Sequence, residues 1–158
     1  MSELVLDAPL INFGELPAAV DALLQRGVAA YRTDRQKADA LFREALEIAP
    51  AELPAYYCLY KIHTYRGHLD SAAEFAQAGL REAARQARWK EDPADWPANE
   101  HDAGPARFAM FTLKALAFIE LKRGNREIAL QHLARLARLD PSGSVGWPVI
   151  SQLAEGVA

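Results

Sequence analysis

Histidine and cysteine are the side chains that acid–base, nucleophilic or metal chemistry near neutral pH would use, so their spacing comes first. His63 and His68 stand five apart, across a predicted helix end. Four apart would place two imidazoles on one helical face. His101 and Asp102 follow much later, and His132 falls in a different predicted helix. A metal centre needs several such groups to converge, and this spacing predicts none. Cys58 is the only cysteine and has no activating base beside it, so it offers no disulfide, thiolate cage or activated nucleophile. No glycine-rich phosphate loop, G-x-S-x-G elbow or catalytic carboxylate pair is present. The residues therefore predict a non-enzymatic protein with no metal and no cofactor.

A second pattern points to binding. Tyr57, Lys61 and Tyr65 recur every four residues, so in a helix they form one stripe. Phe111, Lys114, Phe118 and Lys122 form a similar stripe later in the chain. Aromatic faces with ammonium groups between them suit an acidic protein segment carrying apolar anchors. The competing reading makes these aromatics plain core, since the segment 106–122 is apolar almost all round. Lysines are poor core residues, which favours an exposed binding stripe.

These stripes need helices to carry them, and helical signals dominate. Pro17 opens a first helix continued by Asp21, Leu24, Val28 and Tyr31. Thr33 or Asp34 caps a second, which carries Ala38, Leu41, Phe42 and Ala45 and ends before Pro50. A third spans about 52–66, with Gly67 as its stop. A fourth starts near Asp70 and runs toward Trp89. The stretch "FAMFTLKALAFIELKRG" makes a fifth, stopped by Gly124. Asn125 caps a sixth, which ends at Pro141, and a short last helix covers about 147–155. The alternation at Leu4 to Leu6 is too short for a strand.

The helices fall into pairs of one design. Ala38 and Ala72 are 34 residues apart, and Ala129 follows after 34 plus 23 more. Pro50 and Pro141 imply the same 23-residue insertion, and so do Gly67 and Gly124. A 34-residue helix–turn–helix period resembles the tetratricopeptide repeat. The third unit carries it best, with Leu113-x2-Leu116-Ala117, Gly124, Ala129-x3-Leu133 and Pro141. The second unit has Tyr56-x2-Leu59, Gly67 and Ala72, but Tyr60 where the family prefers a small residue. In the first unit the first helix is one residue out of register around Gly27.

The resemblance implies an all-α fold: a right-handed solenoid of three hairpins at about 17–50, 51–84 and 108–141. An insertion at about 85–107 and a C-terminal capping helix complete this single domain over 1–158. It also implies a concave face lined by the first helix of each pair. That face takes Tyr57, Lys61, Tyr65, Phe111, Lys114, Phe118 and Lys122, with Leu24, Val28 and Arg32 from the first unit. The family's carboxylate clamp has a lysine where Lys114 stands. Lys61 and Phe118 occupy its asparagine and arginine positions. A second likeness, carried by "YYCLYKIHTYRGHLDSA" and "GPARFAMFTLKALAFIELKRG", is to small repeat proteins encoded beside nitrogen-fixation genes, and implies an accessory role in nitrogenase assembly.

The expected function is an adaptor that binds a protein segment. Homodimerisation and small-ligand binding are the alternatives. The net charge of −3 and pI near 5.8 give no global attraction to nucleic acid or anionic membrane. With no apolar run near the roughly 20 residues of a membrane helix, and Glu3 and Asp7 where a signal peptide would be basic then apolar, a cytoplasmic protein is expected. The insertion holds Trp89 and Trp96 with Glu91, Asp92, Asp95, Glu100 and Asp102. Two tryptophans argue for order. The loop is then a lid whose acids face the trough lysines, a set of loop contacts to the partner, or a plug between the second and third units.

Overall fold

Pro17, which cannot continue a helix backward, opens the first one, its carbonyl accepting from Val20 and Asp21. The computed structural model describes residues 13–101 and 103–156. The expectations at Leu4 to Leu6, Glu3, Asp7 and Asp102 lie outside them. The helices are α1 (Ala18–Ala30), α2 (Arg35–Ile48), α3 (Leu53–Tyr65), α4 (Leu69–Ala87), α5 (Gly104–Lys122), α6 (Arg126–Leu139) and α7 (Trp147–Gly156). A 3₁₀ turn covers Pro93–Asp95, and the described residues contain no strand. The fold is all-α. Among the described residues, no helix is long and apolar enough to cross a membrane.

Local chemistry sets most boundaries. Asp34, not Thr33, caps α2: its Oδ1 accepts from the Lys37 amide at 3.0 Å. Gly67 and Gly124 close α3 and α5 by the same bonds. His68 N donates to His63 O (2.9 Å) and Gly67 N to Thr64 O (3.2 Å). Asn125 N donates to Glu120 O (2.8 Å) and Gly124 N to Leu121 O (3.1 Å). Both glycines have positive φ, +77° and +85°, as this helix stop requires. Asn125 stands at the start of α6 without a side-chain cap bond. Its Nδ2 donates instead to the buried Glu120 carboxylate at 2.8 Å.

The insertion differs from expectation at both ends. α4 stops at Ala87 because Arg88 turns left-handed (φ 62°) and Trp89 N bonds back to Ala84 O. α5 begins at Gly104, with Pro105 preset for its first turn, so 104–107 are helix and not loop. Within the loop Asp92 caps the 3₁₀ turn, its Oδ1 accepting from Ala94 N. Pro93 and Pro97 restrict the backbone and remove amide donors, which disfavours a helical middle. Instead Pro93 serves as the first residue of the turn, where its missing amide costs nothing.

Each helix packs on the next along the chain, and α5 also meets α3 and α7. Ala38, Ala72 and Ala129 are fully buried where their helices cross a neighbour. Two apolar clusters result, one around Leu24, Phe42, Leu59 and Ile62, the other around Met110, Leu113, Leu116 and Leu136. Leu24 and Val28 lie in the first cluster and not on an open trough, because α1 turns this face onto α2.

Gly27 is a close-approach residue. A Cβ there would lie within 3 Å of three carbons of the fully buried Phe42 ring. Gly27→Ala is expected to destabilise the fold by about 1–3 kcal/mol of overpacking, minus up to about 1 kcal/mol of gained helix propensity. Adding Phe42→Leu should recover part of the loss in urea unfolding. Equal losses in the single and double variants would contradict this packing account.

Candidate binding groove

The stripe on α3 is built by stacking. The Lys61 ammonium lies 4.9 Å from the Tyr57 ring centroid and 6.0 Å from that of Tyr65, a cation between two aromatic faces. On α5, Lys114 lies 5.0 Å over Phe111, with the Arg107 guanidinium 4.7 Å from the same ring. Lys122 covers Phe118 at 5.3 Å. The two helices are tied below this surface by Tyr60 Oη and Thr112 Oγ1, 3.3 Å apart and buried.

Two hollows open along the α3–α5 seam. One, of about 370 Å³, is lined by Phe13, Pro54, Tyr57, Tyr60, Arg107, Phe108 and Phe111. The other, of about 140 Å³, lies beside Lys61, Thr64, Tyr65, Ala115 and Phe118. The structure thus brings Tyr57 and Phe111 to one hollow and Lys61, Tyr65 and Phe118 to the other. Lys114 sits close enough to Lys61 and Arg107 to feel both. Burial holds its ammonium below the ordinary lysine range, and the two like charges push it further down. Among the described residues, no carboxylate lies within 4.0 Å of Lys61 or Lys114. Gly146 leaves room for Lys114, since a Cβ there would stand 3.3 Å from its Nζ.

Lys122 falls elsewhere, in a depression at the interhelical turns beside His68, Asp70 and Arg123. Arg107 was missed because its segment was assigned to the insertion. Its signal was nonetheless present, four residues before Phe111 on what is continuous helix.

Of the two loop tryptophans one is internal and the other half-buried. Trp96 is only 2% exposed, belongs to the second cluster and donates from Nε1 to Lys90 O at 2.7 Å. Trp89 is half-buried against it, with ring centroids 4.9 Å apart. Arg138 on α6 donates to the carbonyls of Pro93, Ala94 and Trp96. Asp92 lies 4.0 Å from Arg135, also on α6. The loop is held to α6. Trp96 lies in the core and not on the surface, and Asp92 faces Arg135 and not the trough lysines.

The histidines also rearrange expectation. The left-handed Gly67 reverses the chain, and His68 returns over His63 with Nδ1 atoms 3.4 Å apart. His63 Nε2 donates to the Asp39 carboxylate at 2.8 Å, so its Nδ1 is left to accept from His68 Nδ1–H. The five-residue spacing does bring two imidazoles together. Even so, among the described residues no group of three or more His, Cys, Asp or Glu could hold a metal ion. Cys58 is fully buried, which pushes its thiol up to about 12 and makes it inert.

His63 and His132 are both held below their ordinary 6.5. Burial is the main cause in each, with Asp39 opposing at His63 and Arg135 adding at His132. The unfolded chain then binds these protons at higher pH than the folded one. This share of stability is complete above about pH 6.5 and is lost as pH falls below it. Urea unfolding should show the free energy declining from pH 7 to 5, and less steeply in His132→Gln. A flat profile across that range would contradict the assignment.

Compared with profiles of known families, with curated proteins and with solved structures, the chain finds no match.

Proposed function

We propose that the protein is a non-enzymatic, protein-binding module that takes an acidic segment of a partner chain into the groove between α3 and α5. In this reading the seven helices form a right-handed, tetratricopeptide-like solenoid, with α1–α2, α3–α4 and α5–α6 as its hairpins and α7 as its cap. The neighbour-on-neighbour packing and the matching turns at Gly67 and Gly124 support that architecture.

One observation carries the functional reading. Lys61 and Arg107 both stand close enough to Lys114 to disfavour its charge, all three cations lie over aromatic rings of the groove, and no carboxylate balances Lys61 or Lys114 among the described residues. Half-burying a cation beside two others costs stability that packing alone does not require. An incoming carboxylate removes that cost and gains charge-assisted hydrogen bonds. Selection of random twelve-residue peptides displayed on phage against the purified protein tests this. Enrichment of aspartate and glutamate, lost on Lys61→Glu/Lys114→Glu, is the expected result. Selection of basic or purely apolar peptides would overturn it.

A further inference from the structure

Resting on that reading, we propose that the groove's occupant is an extended segment of the pattern aromatic–x–acid–aliphatic, read in three parts by the wider hollow, the lysine pair and the narrower hollow. Tyr60 Oη and Thr112 Oγ1 are hydrogen-bonded across the α3–α5 seam that carries both hollows. Anchors on one face of a helix stand about 6 Å apart at four residues or about 10.5 Å at seven, so an extended segment is the occupant whose spacing can match.

The spacing follows from α3, which borders both hollows. The wider one centres near Tyr57 and the narrower near Lys61 to Thr64, with Tyr60 shared between them. At 1.5 Å per helical residue the centres are about 8–9 Å apart. An extended polyproline-type segment advances about 3.1 Å per residue and returns to the same side every third residue. Anchors three residues apart therefore enter both hollows at once.

Size assigns the anchors. About 370 Å³ lined by Pro54, Tyr57, Phe108 and Phe111 accepts an aromatic ring. The smaller hollow, about 140 Å³ beside Ala115 and Phe118, suits a branched aliphatic group better than an indole. Lys61 lines the narrower hollow, and Lys114 is near enough to be depressed by it. The acid thus belongs next to the aliphatic anchor.

Fluorescence anisotropy with a fluorescein-labelled peptide Gly-Trp-Ala-Glu-Val-Gly measures the pattern. Replacing its glutamate by glutamine should weaken binding at least tenfold. Inserting one glycine between the alanine and the glutamate should weaken it about fivefold, and exchanging tryptophan with valine should do the same. In the protein, Ala115→Phe fills the narrower hollow. It should abolish the preference for valine over glycine while leaving the glutamate dependence intact. Acid-dependent binding that ignores spacing and anchor order would overturn the pattern and leave the groove reading standing. Binding that ignores the acid would overturn both. No binding of the parent peptide at millimolar concentration overturns the pattern.

Discussion

Asp140→Ala is expected to cost about 3–5 kcal/mol of folding free energy and to release the C-terminal helix from the body of the fold. The side chain is 1% exposed and ends α6. Its Oδ1 accepts from Ser144 N at 3.1 Å, Ser144 Oγ at 2.9 Å and Ser142 Oγ at 3.3 Å, while Oδ2 accepts from Val145 N at 3.0 Å. His101 Nε2 stands 3.9 Å from Oδ1. Burial alone would raise this carboxyl, but the bonds from Val145 and Ser144, with His101, hold it below the ordinary value of 3.8. Truncation strands two amides with no other partner in a tight loop, each costing about 1–3 kcal/mol. The loop those amides belong to leads directly into α7, whose Trp147 Nε1 donates to the Asp140 carbonyl at 2.8 Å. Since domains of this size hold about 5–15 kcal/mol in all, the urea midpoint should fall by a large fraction. A loss under about 1 kcal/mol would show that the loop holds itself together without the carboxylate.

The second large effect concerns binding. Lys61→Glu/Lys114→Glu should reduce affinity for an acidic peptide selected on the wild-type protein by at least a hundredfold. Each desolvated charge-assisted contact contributes about 1.5–3 kcal/mol, and every 1.4 kcal/mol is tenfold. Folding should survive, because neither lysine pairs with a carboxylate within 4.0 Å among the described residues. A single Lys61→Glu is predicted to act partly by a different route, since the new carboxylate would pair with Lys114 and occupy it. Its stability should therefore rise while its affinity falls. Wild-type affinity in the double variant at low salt would place the binding surface elsewhere on the molecule.

Much of the helical order was legible because it is local. Apolar spacing, Asp34 as a cap, and glycines at helix stops act within a few residues. Gly67 and Gly124 take positive φ where the sequence spacing predicted a turn. What escaped depends on chain reversal or distant packing. Helical spacing rules say nothing of His63 and His68 once the left-handed Gly67 folds one back over the other. Arg88 adopts a left-handed stop that its side chain gives no reason to expect. Trp96 looked like a loop residue because its apolar surroundings come from other elements, and Arg138, which pins its loop, lies 42 residues away. The α3 and α5 stripes were readable from periodicity, but Lys122 left the site because it sits one turn past the seam, at the Gly124 reversal. Arg107 joined it because Pro105 starts α5 early.

The most direct test of the groove is Lys114→Met, measured for both stability and binding. Methionine keeps the stem that packs near Gly146 and removes a half-buried charge depressed by burial, Lys61 and Arg107. Because the folded lysine titrates below its unfolded value of 10.5, its charge destabilises the folded state fully below that depressed value. The destabilisation is relieved as pH rises from there toward 10.5. At pH 7 the variant should therefore be more stable than wild type, and should bind the selected acidic peptide at least tenfold more weakly. Stability and affinity moving in opposite directions is the predicted result. A variant that is less stable than wild type, or that binds the peptide equally well, would contradict the account.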